Sequence, residues 1–235
     1  ILILSFFLSK KIYHNSQKES AIFALNAAWP NYGYMGIPLC ILAFGEEASI
    51  PISLIFLFDI FILVSFTSIF ASNEKSNHFI YSLFFAFIRI LINPILISVF
   101  IGFIFLIYKI QINSILYKFL ETLSLGATPT ALFAIGITLW NKIETKSKKD
   151  IFTISIIKLV LHPILITSIF YFVPSNIPSL WIKIAILCSC LPVAGNVFAM
   201  SIYYNSLIKV TASSTLITTI LSTFTVPIVL YLLIN

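Results

Sequence analysis

The chain has 235 residues, 60% of them hydrophobic and only 9% charged, with a formal net charge of +6. A soluble domain carries about 25% charged residues, and surface-to-volume scaling leaves a chain of this length too little interior to hide so much apolar surface. Hydrocarbon removes that limit. The composition therefore predicts an all-α, polytopic membrane protein. It argues against a soluble enzyme, and against a nucleic-acid partner, because the positive charge sits in Lys clusters between apolar runs.

A hydrocarbon core of ~30 Å needs about 20 apolar residues per helix. Residues 1–9 read as the end of a span, and because Ile1 already lies inside an apolar run the natural N-terminus is expected to be missing. Whole spans are expected at 21–44, 51–72, 80–108, 115–140, 151–173, 181–204 and 210–234. No cleavable signal peptide is visible, and the connecting segments are too short for a separate soluble domain. Trp140 and Trp181 fall at predicted span ends, where amphipathic rings favour the interface.

The loops alternate in charge. Lys10, Lys11 and Lys18 follow the first remnant, and Lys142, Lys146, Lys148 and Lys149 fill the loop at 141–150, whereas the intervening GEEAS carries Glu46 and Glu47 and no base. Lysine excess marks the cytoplasmic side. That side then also holds Lys75 and Lys209, leaving Lys109, Lys118, Lys183 and the C-terminal Asn235 outside.

Two spans are interrupted in sequence. In NAAWPNYGYMGIPLC, residues Pro30, Asn31, Gly33, Gly36 and Pro38 fall within nine positions, and CSCLPVAGNVFAM places Pro192, Gly195 and Asn196 near the middle of its span. Proline removes a backbone donor and clashes with the preceding turn, while glycine eases non-helical dihedrals. Unwound backbone cannot face lipid, so it must be buried in protein or line an aqueous cavity. Paired interruptions of this kind point to a midplane site whose half-helix N-termini favour anions. The plainer reading is a pair of proline kinks that only shape helix packing. Single prolines at Pro94, Pro129, Pro163 and Pro227 are expected to be such kinks, and Gly102, Gly126 and Gly136 to allow close helix contact.

Charges within spans are costly. Asp59, in the middle of PISLIFLFDIFILVSF, is the acid that snorkelling explains least, and is a candidate coupling residue as well as a candidate for structural pairing. Lys158 and His162 are four apart and share a helix face. Lys158 is within reach of the cytoplasmic surface by snorkelling, and His162, before Pro163, reads either as a satisfied interior residue or as a proton carrier. Arg89 and Glu121 lie nearer span ends. Cys40, Cys188 and Cys190 all lie in apolar runs, and the spacing of the last two suits neither a zinc pair nor a redox CxxC. HExxH, GxSxG and P-loop patterns are missing. No catalytic group, metal or cofactor is expected.

The segments NYGYMGIPL followed by FGEE, LGATPTALFAIGITL, KLVLHPIL and LPVAGNVFAMSIYYN, in this order, resemble the auxin efflux carrier family, which includes bacterial organic-anion carriers and the plant PIN proteins. The resemblance covers essentially the whole chain. It implies a ten-helix transporter fold of two inverted five-helix repeats with two broken crossing helices. Residues 21–44 would be the fourth helix, 181–204 the ninth and 1–9 the end of the third, with the first two absent. The single transmembrane domain 1–235 then divides into a first-repeat remnant, 1–72, and a second repeat, 79–235.

The crossing site implied by the family falls on Asn31, Gly33, Gly36, Pro38, Pro192, Gly195 and Asn196, with Asp59, Lys158 and His162 as ion-coupling candidates. The expected function is secondary transport of a small organic anion, a mono- or dicarboxylate such as malate or malonate, by alternating access in the cell membrane. Proton coupling, sodium coupling and a homodimer stay open. The short middle segment SNEKSNH differs from the long plant loop and argues against auxin as substrate. The alternatives are a sodium-coupled carrier of the bile-acid or antiporter type, and a membrane sensor that binds a ligand without moving it.

Overall fold

A computed structural model of the chain describes residues 1–70, 88, 94–138, 145–173 and 176–234. Among them the regular structure is helical, with one isolated β-bridge. In chain order the helices are α1 (Leu2–Ile12), α2 (Gln17–Ala28), α3 (Ile37–Phe44), α4 (Ser49–Phe70), α5 (Pro94–Ile107), α6 (Ser114–Thr138), α7 (Thr145–Ile156), α8 (His162–Phe172), α9 (Ser179–Ser189), α10 (Gly195–Tyr203) and α11 (Ile208–Ile234). Three continuous stretches, Glu46–Thr67, Lys148–Phe172 and Ile208–Ile234, are long and apolar enough to cross a membrane. The apolar helices Tyr32–Phe44 and Ser179–Ser189 are shorter. The expected span at 80–108 is described only at residue 88 and from Pro94 onward, and Trp140, Arg89, Lys75 and Lys142 lie outside the described residues.

The ends of these helices follow local chemistry. Ser16 and Glu19 close a reciprocal capping box at the start of α2, the Ser16 hydroxyl accepting from the Glu19 amide at 3.2 Å and the Glu19 carboxylate from the Ser16 amide at 2.8 Å. Two π-turns, Tyr32–Gly36 and Ile157–Leu161, lead directly into α3 and α8. Each ends two residues before a proline, Pro38 and Pro163. A proline ring collides with the carbonyl four residues back and offers it no donor. Widening the preceding turn accommodates both defects without breaking the helix. These two prolines thus act through a changed helix winding.

Among the described residues the expected helix contacts at Gly102 and Gly126 are not found: a Cβ added at either would meet none of them within 4 Å. Gly126 borders a cavity instead. The surroundings of Gly136 and the side chain of Pro129 lie outside the described residues.

The interior is built around α2. Ala21 through Leu25 are completely buried, packed with residues of α1, α4, α7, α10 and α11. A second apolar cluster joins Cys40, Ile52, Leu187, Leu191 and Val226. Outward faces are apolar as well; Leu42, Phe152, Tyr171 and Phe224 are all exposed. In water such a surface would drive aggregation, whereas in lipid it is the expected boundary.

Candidate functional site

Helix α2 stops at Ala28, and the backbone is extended at Trp29 before the π-turn begins at Tyr32. Helix α9 stops at Ser189, and the chain runs through Leu191–Ala194 before α10 starts at Gly195. These two non-helical stretches lie against each other as an antiparallel bridge centred on Pro30 and Val193. The Asn31 amide donates to the Pro192 carbonyl at 2.9 Å, and the Ala194 amide donates to the Trp29 carbonyl at 3.2 Å. The Val193 amide, on the other side, donates to the Thr218 hydroxyl of α11 at 3.1 Å. Each chain segment therefore supplies the partner that the other's unwound backbone lacks, which is the condition for placing such backbone away from water.

Close approach at this junction depends on two glycines. A Cβ on Gly36 would lie 3.0 Å from Leu191 Cδ1, and one on Gly195 would lie 3.2 Å from the Tyr34 ring. Gly33 lies against Phe56 of α4. The Asn31 carbonyl accepts from both Met35 and Gly36 amides and so starts the π-turn. Pro38 lies two residues past that π-turn, in the first turn of α3.

Beside the junction an open cavity of about 560 Å³ is lined by Tyr34, Thr122, Gly126, Thr130, Gly195 and Asn196, together with apolar residues of α6 and α10. Of the seven crossing residues expected from sequence, Gly195 and Asn196 line this cavity; Gly36, Pro192 and the Asn31 backbone build the junction behind it. Gly195 and Asn196 are the first two residues of α10, whose N-terminus has no side-chain cap. A helix start of this kind offers free amides and partial positive charge to an anion.

Sequence reasoning passed over Tyr34, Thr122, Thr130 and Asn26. Asn26 is completely buried in α2; its amide nitrogen donates to the Ile22 carbonyl and to the Thr211 hydroxyl, both at 2.9 Å, and its Oδ1 has no partner among the described residues. The available signal was the run TASSTLITTILST in the last span, whose Thr211, Ser214, Thr215, Thr218 and Ser222 are all buried and recur at helical spacing.

The ionisable candidates also lie in the interior. Lys158, in the second π-turn, is fully buried, which overturns the expectation that it snorkels to the surface: its ammonium lies 2.9 Å from His162 Nδ1 and donates to the Ser189 carbonyl at 3.3 Å. When Lys158 is charged it can only donate, and Nδ1 of His162 is then the acceptor. Asp59 of α4 has its Oδ2 buried without a hydrogen-bond partner among the described residues, and it lies within electrostatic reach of Lys158. Cys40 and Cys188 are buried free thiols 3.9 Å apart. Among the described residues no group of three His, Cys, Asp or Glu side chains could hold a metal ion.

The sequence matches the family described as "Membrane transport protein" over residues 1–230. It is 31% identical to a protein of Rhizobium meliloti (strain 1021) described as "Putative malonate transporter", over 99% of this chain and 73% of that protein.

Proposed function

Because the chain belongs to the membrane transport protein family that its resemblance to auxin efflux carriers indicated, we propose that it is a secondary carrier of a small organic anion, with a short dicarboxylate of the malonate class as the leading substrate. The observation that carries this reading is the backbone bridge between Pro30 and Val193 beside a cavity bordered by the uncapped start of α10. In this reading the interruptions in 21–44 and 181–204 are the broken fourth and ninth helices of an inverted ten-helix repeat. One carboxylate of the substrate lies at the first turn of α10, where Asn196 donates from its side-chain amide. Tyr34 offers a hydroxyl to the rest of the molecule, whereas Thr122 and Thr130, also on the cavity wall, donate theirs to the Lys118 and Gly126 carbonyls of their own helix. Partial charges of a helix end attract the anion less strongly than a full ionic partner would, which leaves it free to depart.

The substrate would be carried by alternating access, the bridged half-helices moving together past α6. This motion rests on the family resemblance. Asp59, Lys158 and His162 form the proposed ion-coupling group, and the Lys-rich loops face the cytoplasm of a cell membrane.

Counterflow of labelled malonate into vesicles tests this reading. Asn196→Ala should weaken substrate binding by about 1–3 kcal/mol, the cost of a lost buried hydrogen bond. Asn31→Ala keeps the backbone bond to Pro192 behind the cavity and should leave binding nearly unchanged. Full binding by Asn196→Ala in well-folded protein would move the site elsewhere. Binding without flux would favour the sensor reading.

A further inference from the structure

The last carbonyls of α9 have traceable partners. The Ile186 carbonyl accepts from the Ser189 hydroxyl at 2.6 Å and the Cys190 thiol at 3.3 Å. Those of Leu187 and Cys188 accept from the amides of Cys190 and Leu191 in the turn that ends the helix. The Ser189 carbonyl instead turns to another element, and its partner is the Lys158 ammonium. That ammonium therefore sits at the negative end of a half-helix dipole. Around it are a backbone carbonyl, an imidazole nitrogen and, acting through space from α4, Asp59, whose buried Oδ2 has no partner among the described residues. The neighbouring thiols of Cys188 and Cys190, at the same helix end, complete the titratable surroundings. Backbone carbonyls at the C-terminal end of a half-helix are the groups with which transporters hold a coupling cation, and a carboxylate is a further oxygen donor suited to one. Here a side chain already fills that place.

Resting on the carrier reading above, we propose that Lys158 is a tethered cation. Its ammonium, bonded to the Ser189 carbonyl and His162, occupies the position a bound sodium ion would take, so the protein neither binds nor needs sodium. The full burial of Lys158 argues against a surface role. The helix end and Asp59 offset part of the cost of burying this charge.

The consequence is a space that substitution can open. Lys158→Ala removes the charge and leaves room, whereas Lys158→Met removes the charge and fills the room. Thermal unfolding of the purified protein should be followed in sodium chloride, methylammonium chloride and choline chloride at equal ionic strength, choline being too bulky to enter. The unchanged protein should melt identically in all three. Lys158→Ala should melt lower in choline and rise by several degrees in sodium or methylammonium, as mass action requires of a ligand bound only by the folded state. Lys158→Met should melt alike in all three salts. In vesicles, malonate flux of the unchanged protein should not respond to sodium. That of Lys158→Ala should fall by about tenfold or more in choline, an effect of ~1.4 kcal/mol or more, and recover in part with either small cation.

A sodium-dependent melt or flux in the unchanged protein overturns the proposal, as does a Lys158→Ala protein indifferent to both small cations. Should Lys158→Ala not fold, Lys158→Arg decides: it keeps a cation and must remain indifferent to sodium, and a sodium response there is equally fatal. If the melts behave as stated while no organic anion is carried, the tethered cation stands and the carrier reading fails.

Discussion

The Asn31 amide donates to the Pro192 carbonyl at 2.9 Å, across 161 positions of sequence and between two helix interruptions that each contain a proline. The bond has a simple origin. Pro192 interrupts α9's continuation into α10 and leaves its own carbonyl without a helical donor, while Pro30 ends α2 and leaves the next amide without a helical acceptor. The two deficits are complementary. One pairing satisfies both, and it brings Gly195 and Asn196 to the wall of the cavity.

The same pairing logic extends to α11. The Thr218 hydroxyl accepts from the Val193 amide at 3.1 Å and donates to the Ser214 carbonyl at 2.6 Å. Thr218→Val keeps the volume and removes the acceptor, so it should lower stability by about 1–3 kcal/mol, the cost of an unpaired buried amide. Thr218→Ser should recover most of it. Melting curves of the purified variants decide; a Val variant as stable as the parent would show that Val193 finds another partner.

Gly36 faces Leu191 so closely that an added Cβ would lie 3.0 Å from Leu191 Cδ1 and the leucine would have to shift by a few tenths of an ångström. Gly36→Ala should therefore destabilise the junction by about 1–3 kcal/mol, as overpacking does. Adding Leu191→Ala should relieve the clash while opening a cavity of its own. The double variant should thus be more stable than the two single losses added together. Strict additivity in a thermal or denaturant series would separate the two positions.

Asp59→Asn keeps shape and removes charge beside Lys158. Its effect on flux, and on the dependence of flux on pH, should exceed that of Glu46→Gln and Glu47→Gln, which lie exposed on the turn before α4. An Asp59→Asn protein with unchanged flux and pH profile would leave this carboxylate with no part in coupling.

Orientation is open to direct labelling. Single cysteines at position 11 or 146, in a background lacking Cys40, Cys188 and Cys190, should resist an impermeant thiol reagent in intact cells, and one at position 46 should react. Lys11 and Glu46 are both exposed, so access through the protein does not limit either test. Labelling at 146 with protection at 46 would invert the topology.

Membrane residence was written in the composition, because 60% apolar residues cannot be buried by a chain this short in water. The places where helices fail were equally local: Pro30, Pro38, Pro163 and Pro192 each lack an amide, and that defect acts wherever the residue sits. What becomes of each defect was not local. At Pro38 and Pro163 the helix continues through a π-turn, while at Pro30 and Pro192 the chain leaves the helix and pairs with a distant partner. Sequence also placed Lys158 and His162 on one face, since four residues make about one turn. It could not show that α9 ends beside them. The surface role inferred for Lys158 gave way to a bond with Ser189, 31 positions away. Asn26 and Thr211 were invisible as a pair for the same reason: each is an ordinary polar residue in an apolar run until packing removes every other partner. Composition and local sterics determined the solvent and the breaks. Only tertiary packing decided which freed backbone group meets which, because that choice depends on contacts between segments far apart in the chain.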